Sequence, residues 1–335
     1  MRKVISLKDI AERAGVSTAL VSYVLNDTRV NRVNKDTAQK IRDIAAELNY
    51  KVNELARSLK TNKTNTLGII VSNIGNPFSA TLARFIENES AKQHYTSIFG
   101  SSDEDVHKFE NLVNTFVNRK VDGLILSPPA GCEHIIVKLQ QRGINFILLD
   151  RYFPALKTSY VVLDNYTAAF EATELFLKAG RKRPAMVGYD TELFHLQERS
   201  RGFIAALKKH EIPFSPGMLR LVSVADDKVS IETAIDLVLQ EEPRIDALLL
   251  GSNTIATCGL RYINKLPLIV PKDLALISFD QAEMLEVFYS PVTYVKQPLE
   301  EIGRLAIQTM LAQIAAPESL VCLSVKAELV LQESG

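Results

Sequence analysis

The stretch Ser6-Leu-Lys-Asp-Ile-Ala-Glu-Arg-Ala-Gly-Val-Ser-Thr-Ala-Leu-Val-Ser-Tyr-Val-Leu-Asn26 decides how the chain is read. Its apolar residues fall into two groups. Leu7, Ile10, Ala11 and Ala14 share one helical face, and Val21, Val24 and Leu25 resume that spacing after a break. Gly15 stands at the break, where a helix ends in the left-handed region at little steric cost. Ser17 follows as an N-cap whose hydroxyl accepts from the amides of the next turn. Two short helices around a glycine turn make a helix-turn-helix, a shape whose second helix can enter a DNA major groove.

Outward from this stretch, Ala38, Ile41, Ile44, Ala45 and Leu48 form the apolar stripe of a third helix over 34–50, with Asn34 as its cap and Asn49-Tyr50 at its end. Residues 1–50 are therefore expected to be an all-α headpiece, followed by a hinge at 51–63. The segment from Asn53 to Lys60 can be helical but is too short to be stable alone. From Thr66 the pattern changes to near-continuous apolar strands separated by helix-length stretches. Ten strands are expected: Leu67–Ser72, Thr96–Gly100, Gly123–Ser127, Phe146–Asp150, Tyr160–Leu163, Ala185–Gly188, Leu219–Val224, Ala247–Gly251, Leu274–Phe279 and Val292–Lys296. That alternation means parallel sheets covered on both faces. Ten strands exceed one small unit, so 64–335 is read as two doubly wound α/β lobes with a cleft at the carboxyl ends of the strands. The expected N-lobe is about 64–163 and 292–321, and the C-lobe about 164–291 and 322–335.

The 335 residues carry 39 Lys+Arg and 39 Asp+Glu. The first sixty residues hold 12 basic and 7 acidic side chains, a charge of +5, and the remainder holds −5. A basic head on an acidic body suits a polyanion-binding module joined to something else. The N-terminus has no apolar run of signal-peptide length and no stretch of 18 apolar residues occurs, so a cytoplasmic protein is expected. Cys132, Cys258 and Cys322 are far apart, lack metal-ligand spacing and are expected to be buried free thiols. There is no Gly-x-Gly-x-x-Gly, no Gly-Lys-Ser/Thr phosphate loop and no His-Glu-x-x-His, and His94, His107, His134, His195 and His210 form no nucleophile pattern. No catalytic residue, metal or cofactor is expected. An α/β enzyme, or a two-lobed sugar-binding protein without a DNA role, are the rival readings. The second would lack the first sixty residues.

Taken together, the chain resembles the LacI/GalR (lactose-repressor) family of bacterial transcription regulators. The head carries Asp9-Ile-Ala-x-x-Ala-Gly-Val-Ser17, Val21-Ser-x-Val-Leu-Asn26 and Ala56-Arg-Ser-Leu59. The body carries Asn76-Pro-Phe78, Asp122-Gly-Leu-Ile-Leu126, Asp164-Asn165, Glu198-Arg199-x-x-Gly-Phe203 and Ile277-Ser-Phe-Asp280. The resemblance implies a periplasmic-binding-protein-like core. It also implies a homodimer on a palindromic operator, most simply a repressor, controlled by a small polar metabolite such as a sugar or sugar phosphate. No helical zipper follows Ala327, which keeps the expectation at a dimer.

On the second helix, Thr18, Ala19 and Tyr23 match the family's base-reading positions. Thr18 can bond a base edge, and its methyl or that of Ala19 can touch a thymine methyl. Tyr23 could instead cover the edge of the domain. Where the family usually has Thr this chain has Leu20, which leaves Ser22 and backbone amides for phosphate contact. Arg29 and Arg57, with Arg2, Lys3, Arg32 and Lys35, could neutralise phosphates. In the family the leucine matching Leu59 wedges into the minor groove of a kinked duplex, beside Lys60; its alternative is packing on the body. Val52 replaces the family's proline before the hinge. For the effector, the resemblance offers Asn76, Phe78, Asp150 and Arg151 on the first lobe, and Arg199, Asn253 and Asp280 on the second. Arg151, or Arg199 with Asp280, could instead make interlobe salt bridges. The family's aromatic wall reads Val224-Ala-Asp-Asp-Lys228 here, and its Asn-Asp pair reads Asn253-Thr254.

Overall fold

The computed structural model describes residues 5–25, 33–50, 63–223 and 228–335 of the chain. It divides into two compact units, Met1–Thr64 and Asn65–Gly335.

In the first unit, helices α1 (Leu7–Ala14), α2 (Thr18–Leu25) and α3 (Lys35–Glu47) pool their apolar stripes. Ile10, Ala11, Ala14, Val21, Val24, Ala38, Ile41, Ile44 and Ala45 are buried together, with Leu7, Leu20, Leu25 and Leu48 packed at the edge. The expected caps are present. Gly15 ends α1 with φ +73°. Ser17 Oγ accepts from the Leu20 amide at 3.3 Å, and Asn34 Oδ1 accepts from the Asp36 amide at 2.8 Å. A further device escaped the sequence reading: Ser6 and Asp9 form a reciprocal capping box at the start of α1. Leu20 is half-buried against the core, so the residue that replaces the family's threonine contributes packing rather than a polar contact.

The second unit begins with β1 (Thr66–Val71), α4 (Pro77–Lys92), β2 (Thr96–Ser101), α5 (Val106–Asn118), β3 (Gly123–Leu126), α6 (Glu133–Gln141), β4 (Phe146–Leu149) and β5 (Tyr160–Leu163). The chain then crosses into α7 (Asn165–Lys178), β6 (Pro184–Asp190), α8 (Phe194–Lys209), β7 (Leu219–Ser223), α9 (Lys228–Leu239), β8 (Ala247–Leu250), α10 (Asn253–Ile263), β9 (Ala275–Phe279), α11 (Glu283–Val287) and β10 (Thr293–Lys296). It returns for α12 (Leu299–Ala315) and β11 (Cys322–Val325) and finishes with β12 (Glu328–Val330). The two sheets run β11-β5-β4-β3-β1-β2 and β12-β10-β9-β8-β6-β7. All pairings are parallel except β10 with β12. Each sheet is covered on both faces, as its apolar strands require. Ile302, Ala306, Ile307 and Met310 of α12 close one face of the first sheet. On the second lobe, α7 and α8 pack so closely that a Cβ on Gly202 would fall inside van der Waals contact with the Tyr166 carbonyl oxygen.

The ten expected strands are present, but the lobe boundaries differ from expectation. Residues 293–296 belong to the second sheet, paired with β9, and 322–325 form the edge of the first, paired with β5. The chain thus crosses between lobes three times. The last residues close the second lobe as the antiparallel strand β12, and Ser334 bonds across its sheet, its hydroxyl accepting from the Thr293 amide at 2.9 Å. Cys132 and Cys258 are buried as expected, whereas Cys322 is exposed because β11 is an edge strand.

Candidate nucleic-acid interface and ligand cleft

The head presents Thr18 and Ala19 to solvent at the start of α2, while Ser22 and Tyr23 are half-buried on the same helix. Val21 and Val24 point into the core and fix which face is left over. Arg2, Lys3, Arg29, Arg32, Arg57, Leu59 and Lys60, and all of the expected 51–63 hinge but its last residue, lie outside the described residues, as do Val224–Asp227.

In the second unit, the carboxyl ends of both sheets face a cavity of about 280 Å³. Asn76, Phe78, Asp150, Arg151, Arg199, Asn253 and Asp280 all line it, although they span more than two hundred positions of sequence. Six of them are placed by a strand end or a helix start, and Arg199 reaches in from the second turn of α8. Asn76 caps α4, its Oδ1 accepting from the Phe78 amide at 3.0 Å. Ser252 caps α10, its Oγ accepting from the Ile255 amide at 3.2 Å, and sets Asn253 at the first turn. Asp150 follows β4 and Asp280 follows β9, the corresponding fourth strands of the two sheets. Both adopt left-handed backbone, with φ +67° and +72°. For a residue other than glycine that conformation costs on the order of 1–3 kcal/mol. The same strained turn, built twice, aims a carboxylate into the cavity from each wall.

The two walls touch. Asn253 Nδ2 donates to Asn76 Oδ1 at 2.7 Å across the cleft, and Tyr152 of the first lobe packs edge-on against Phe194 of the second, with ring centroids 5.3 Å apart.

The charges are arranged differently from either expected salt bridge. Arg151 donates from Nη1 and Nη2 to the two oxygens of Glu104, both at 2.7 Å, and its Nε lies 3.6 Å from Asp150. Arg151 and Glu104 both belong to the first lobe, so this pair does not bridge the lobes. Burial works against the Arg151 charge, but the Glu104 contacts outweigh it and hold the guanidinium protonated. Arg199 donates from Nε to Asn165 Oδ1 and from Nη1 to the Gly251 carbonyl, both at 2.8 Å. Its guanidinium lies 3.7 Å from the centre of the Phe279 ring. Asp280 accepts from Gln297 Nε2 at 2.6 Å. Burial raises the Asp150 carboxyl above its ordinary range, against the pull of Arg151 and Arg199.

Glu104, Tyr189, His195, Leu196, Ser252 and Gln297 also line the cavity. The sequence carried no signal for most of them, since a lone Glu or Gln in a loop reads as solvated surface. His195 had one faint mark: it lies four residues before Arg199, on the same face of α8. Among the described residues, no group of three or more His, Cys, Asp or Glu side chains is placed to hold a metal ion, and no helix is long and apolar enough to cross a membrane.

Comparison with known proteins addresses both units. Residues 6–53 match the family described as "Bacterial regulatory proteins, lacI family", and residues 64–326 match "Periplasmic binding proteins and sugar binding domain of LacI family". The ribose operon repressor of Haemophilus influenzae is 28% identical over 98% of both chains. The HTH-type transcriptional repressor PurR of Aliivibrio fischeri is 28% identical over 92% of this chain and 91% of its own. Catabolite control protein A of Priestia megaterium is 28% identical over 91% of each chain. Among solved structures, the lac repressor dimer bound to operator and the anti-inducer ONPF superposes with a TM-score of 0.87 over 99% of each chain at 20% identity. The helix-turn-helix head and the two-lobed body thus meet their counterparts along nearly the whole chain, and the chain belongs to the LacI family of bacterial transcriptional regulators.

Proposed function

We propose that this chain is a repressor that binds a near-palindromic operator as a homodimer and is controlled by a sugar or sugar phosphate held in the interlobe cavity. The observation that carries this reading is one chain uniting an exposed helix-turn-helix face with a polar cavity that gathers seven family-matched side chains. Thr18, Ala19, Ser22 and Tyr23 read or position DNA in the major groove. Arg29 and Arg57 neutralise phosphates, and Leu59 wedges into the central step beside Lys60. Asn76, Phe78, Asp150, Arg151, Arg199, Asn253 and Asp280 form the effector site. Ligand binding changes lobe closure, and closure changes the setting of the two hinges, with a coupling of typically ~1–3 kcal/mol. The lac repressor dimer on its operator supports the dimer and the operator DNA, and a two-fold symmetric dimer calls for a two-fold symmetric site. The ribose operon repressor and the cellobiose complex of the regulator CelR, which superposes with a TM-score of 0.74 at 22% identity, support a carbohydrate.

The test is titration of a fluorescent palindromic duplex, selected from a random library, against salt and against sugars. A regulator of this kind loses affinity steeply with salt, and one sugar moves the titration in either direction, which fixes whether it induces or corepresses. Leu59→Ala should weaken binding by at least ~tenfold and reduce the bend, since a wedge that unstacks a step recovers a few kcal/mol through the bent duplex. Equal affinity and equal bend in the variant would refute the wedge.

A further inference from the structure

One imidazole in the cleft leaves a buried nitrogen without a hydrogen bond. His195, in the first turn of α8, is 6% exposed, and its Nδ1 is buried without a hydrogen-bond partner. A buried, unsatisfied nitrogen costs stability. Burial, with the charges of Arg151 and Arg199, holds the imidazole well below its ordinary range and therefore neutral. The cations of the cavity, by contrast, are engaged. Arg151 is chelated by Glu104, and Arg199 is held by Asn165, the Gly251 carbonyl and the Phe279 face. Among the described residues that line the cavity, Glu104, Asp150 and Asp280 outnumber the two arginines, and none is a lysine. A phosphate dianion would meet a net negative wall. The start of α8 lacks a side-chain cap, but a helix terminus offers only roughly half a positive charge.

We propose that His195 is a specificity-determining residue of this cleft, a neutral imidazole that shares a hydrogen bond with a hydroxyl, so that the site takes an unphosphorylated sugar and rejects its phosphate ester. The inference rests on reading the cleft as the effector site. Neutral imidazole has one donor and one acceptor nitrogen. A hydroxyl can satisfy either one. A phosphate dianion only accepts, so it can use the donor nitrogen alone and leaves the acceptor nitrogen unsatisfied, while the imidazolium that could donate from both nitrogens is disfavoured by the two neighbouring guanidiniums. The cavity of about 280 Å³ suits a monosaccharide.

The experiment is thermal unfolding of the full-length protein, His195→Leu and His195→Gln. Each is melted alone and with the common aldopentoses and aldohexoses, every sugar paired with its phosphate ester. Without ligand, the leucine variant should melt ~1–3 °C above the parent, because an unsatisfied nitrogen is gone. An uncharged sugar should raise the Tm of the parent, and its ester should not. The leucine variant should bind that sugar at least ~tenfold more weakly, and the glutamine variant should recover part of the loss. A leucine variant that melts lower, or that binds sugar like the parent, would show a packing role and overturn the proposal. An ester that binds as well as its sugar would overturn it too, while leaving a sugar-controlled regulator in place. If no member of the panel binds, charged or uncharged, both readings fall.

Discussion

Replacing Glu104 with alanine strands the Arg151 guanidinium in a cavity wall. The side chains of Arg151 and Glu104 are 10% and 31% exposed, and the pair is bidentate. Removing one partner of a fully buried pair typically costs ~3–5 kcal/mol. Water reaches Glu104, and Asp150 stays within 3.6 Å of Arg151 Nε, so about 2–3 kcal/mol is expected here once the screening by water is discounted. For a domain of this size that lowers Tm by roughly 4–10 °C. Calorimetry on Glu104→Ala, Arg151→Met and the double variant separates the terms. The double variant should be more stable than Glu104→Ala, since the penalty lies in the unpaired charge rather than in lost packing. Inorganic phosphate at millimolar concentration should stabilise Glu104→Ala and not the parent, because only the variant frees the Arg151 Nη1 and Nη2 donors that Glu104 occupies. A loss below about 0.5 kcal/mol, of the size seen for surface pairs, or strict additivity in the double variant, would refute the view of Arg151 as a committed, buried cation.

Asp150→Asn probes the raised carboxyl. A folded-state value above the unfolded one means that the ionised form is a burden on the native state at neutral pH, and that this burden disappears once both states are protonated. The variant should therefore be more stable than the parent at pH 7, and the gap should close as pH falls through the raised value toward the ordinary 3.8; a gap that widens on acidification would invert the assignment. Gly202→Ala should cost about 2–3 kcal/mol by urea unfolding, since the added methyl meets the backbone of α7 rather than a flexible side chain. A change under ~0.5 kcal/mol would mean that the two helices can separate freely.

Local rules were legible along the chain. Helical spacing from Leu7 to Leu25, the left-handed stop at Gly15 and the caps at Ser17 and Asn34 need only neighbours a few residues away, and the head folded as read. The alternation of apolar strands with helices likewise announced two parallel sheets, because a strand buried on both faces must be apolar throughout. Six of the seven family-matched positions reached one cavity because strand ends and helix starts in such sheets converge there, and Arg199 joins them from the second turn of α8. Which sheet a short strand joins is another matter. Thr293–Lys296 and Cys322–Val325 carry no mark of their partners, and only the crossings of the chain assign the first to β9 and the second to β5. The commitments of Arg151 to Glu104, forty-seven residues away, and the isolation of His195 between two guanidiniums are likewise products of three-dimensional packing. A charge reveals its burial and its partner through space, and those distances do not exist until the first lobe has folded around Arg151 and Glu104 and the second has brought Arg199 and His195 to the same cleft.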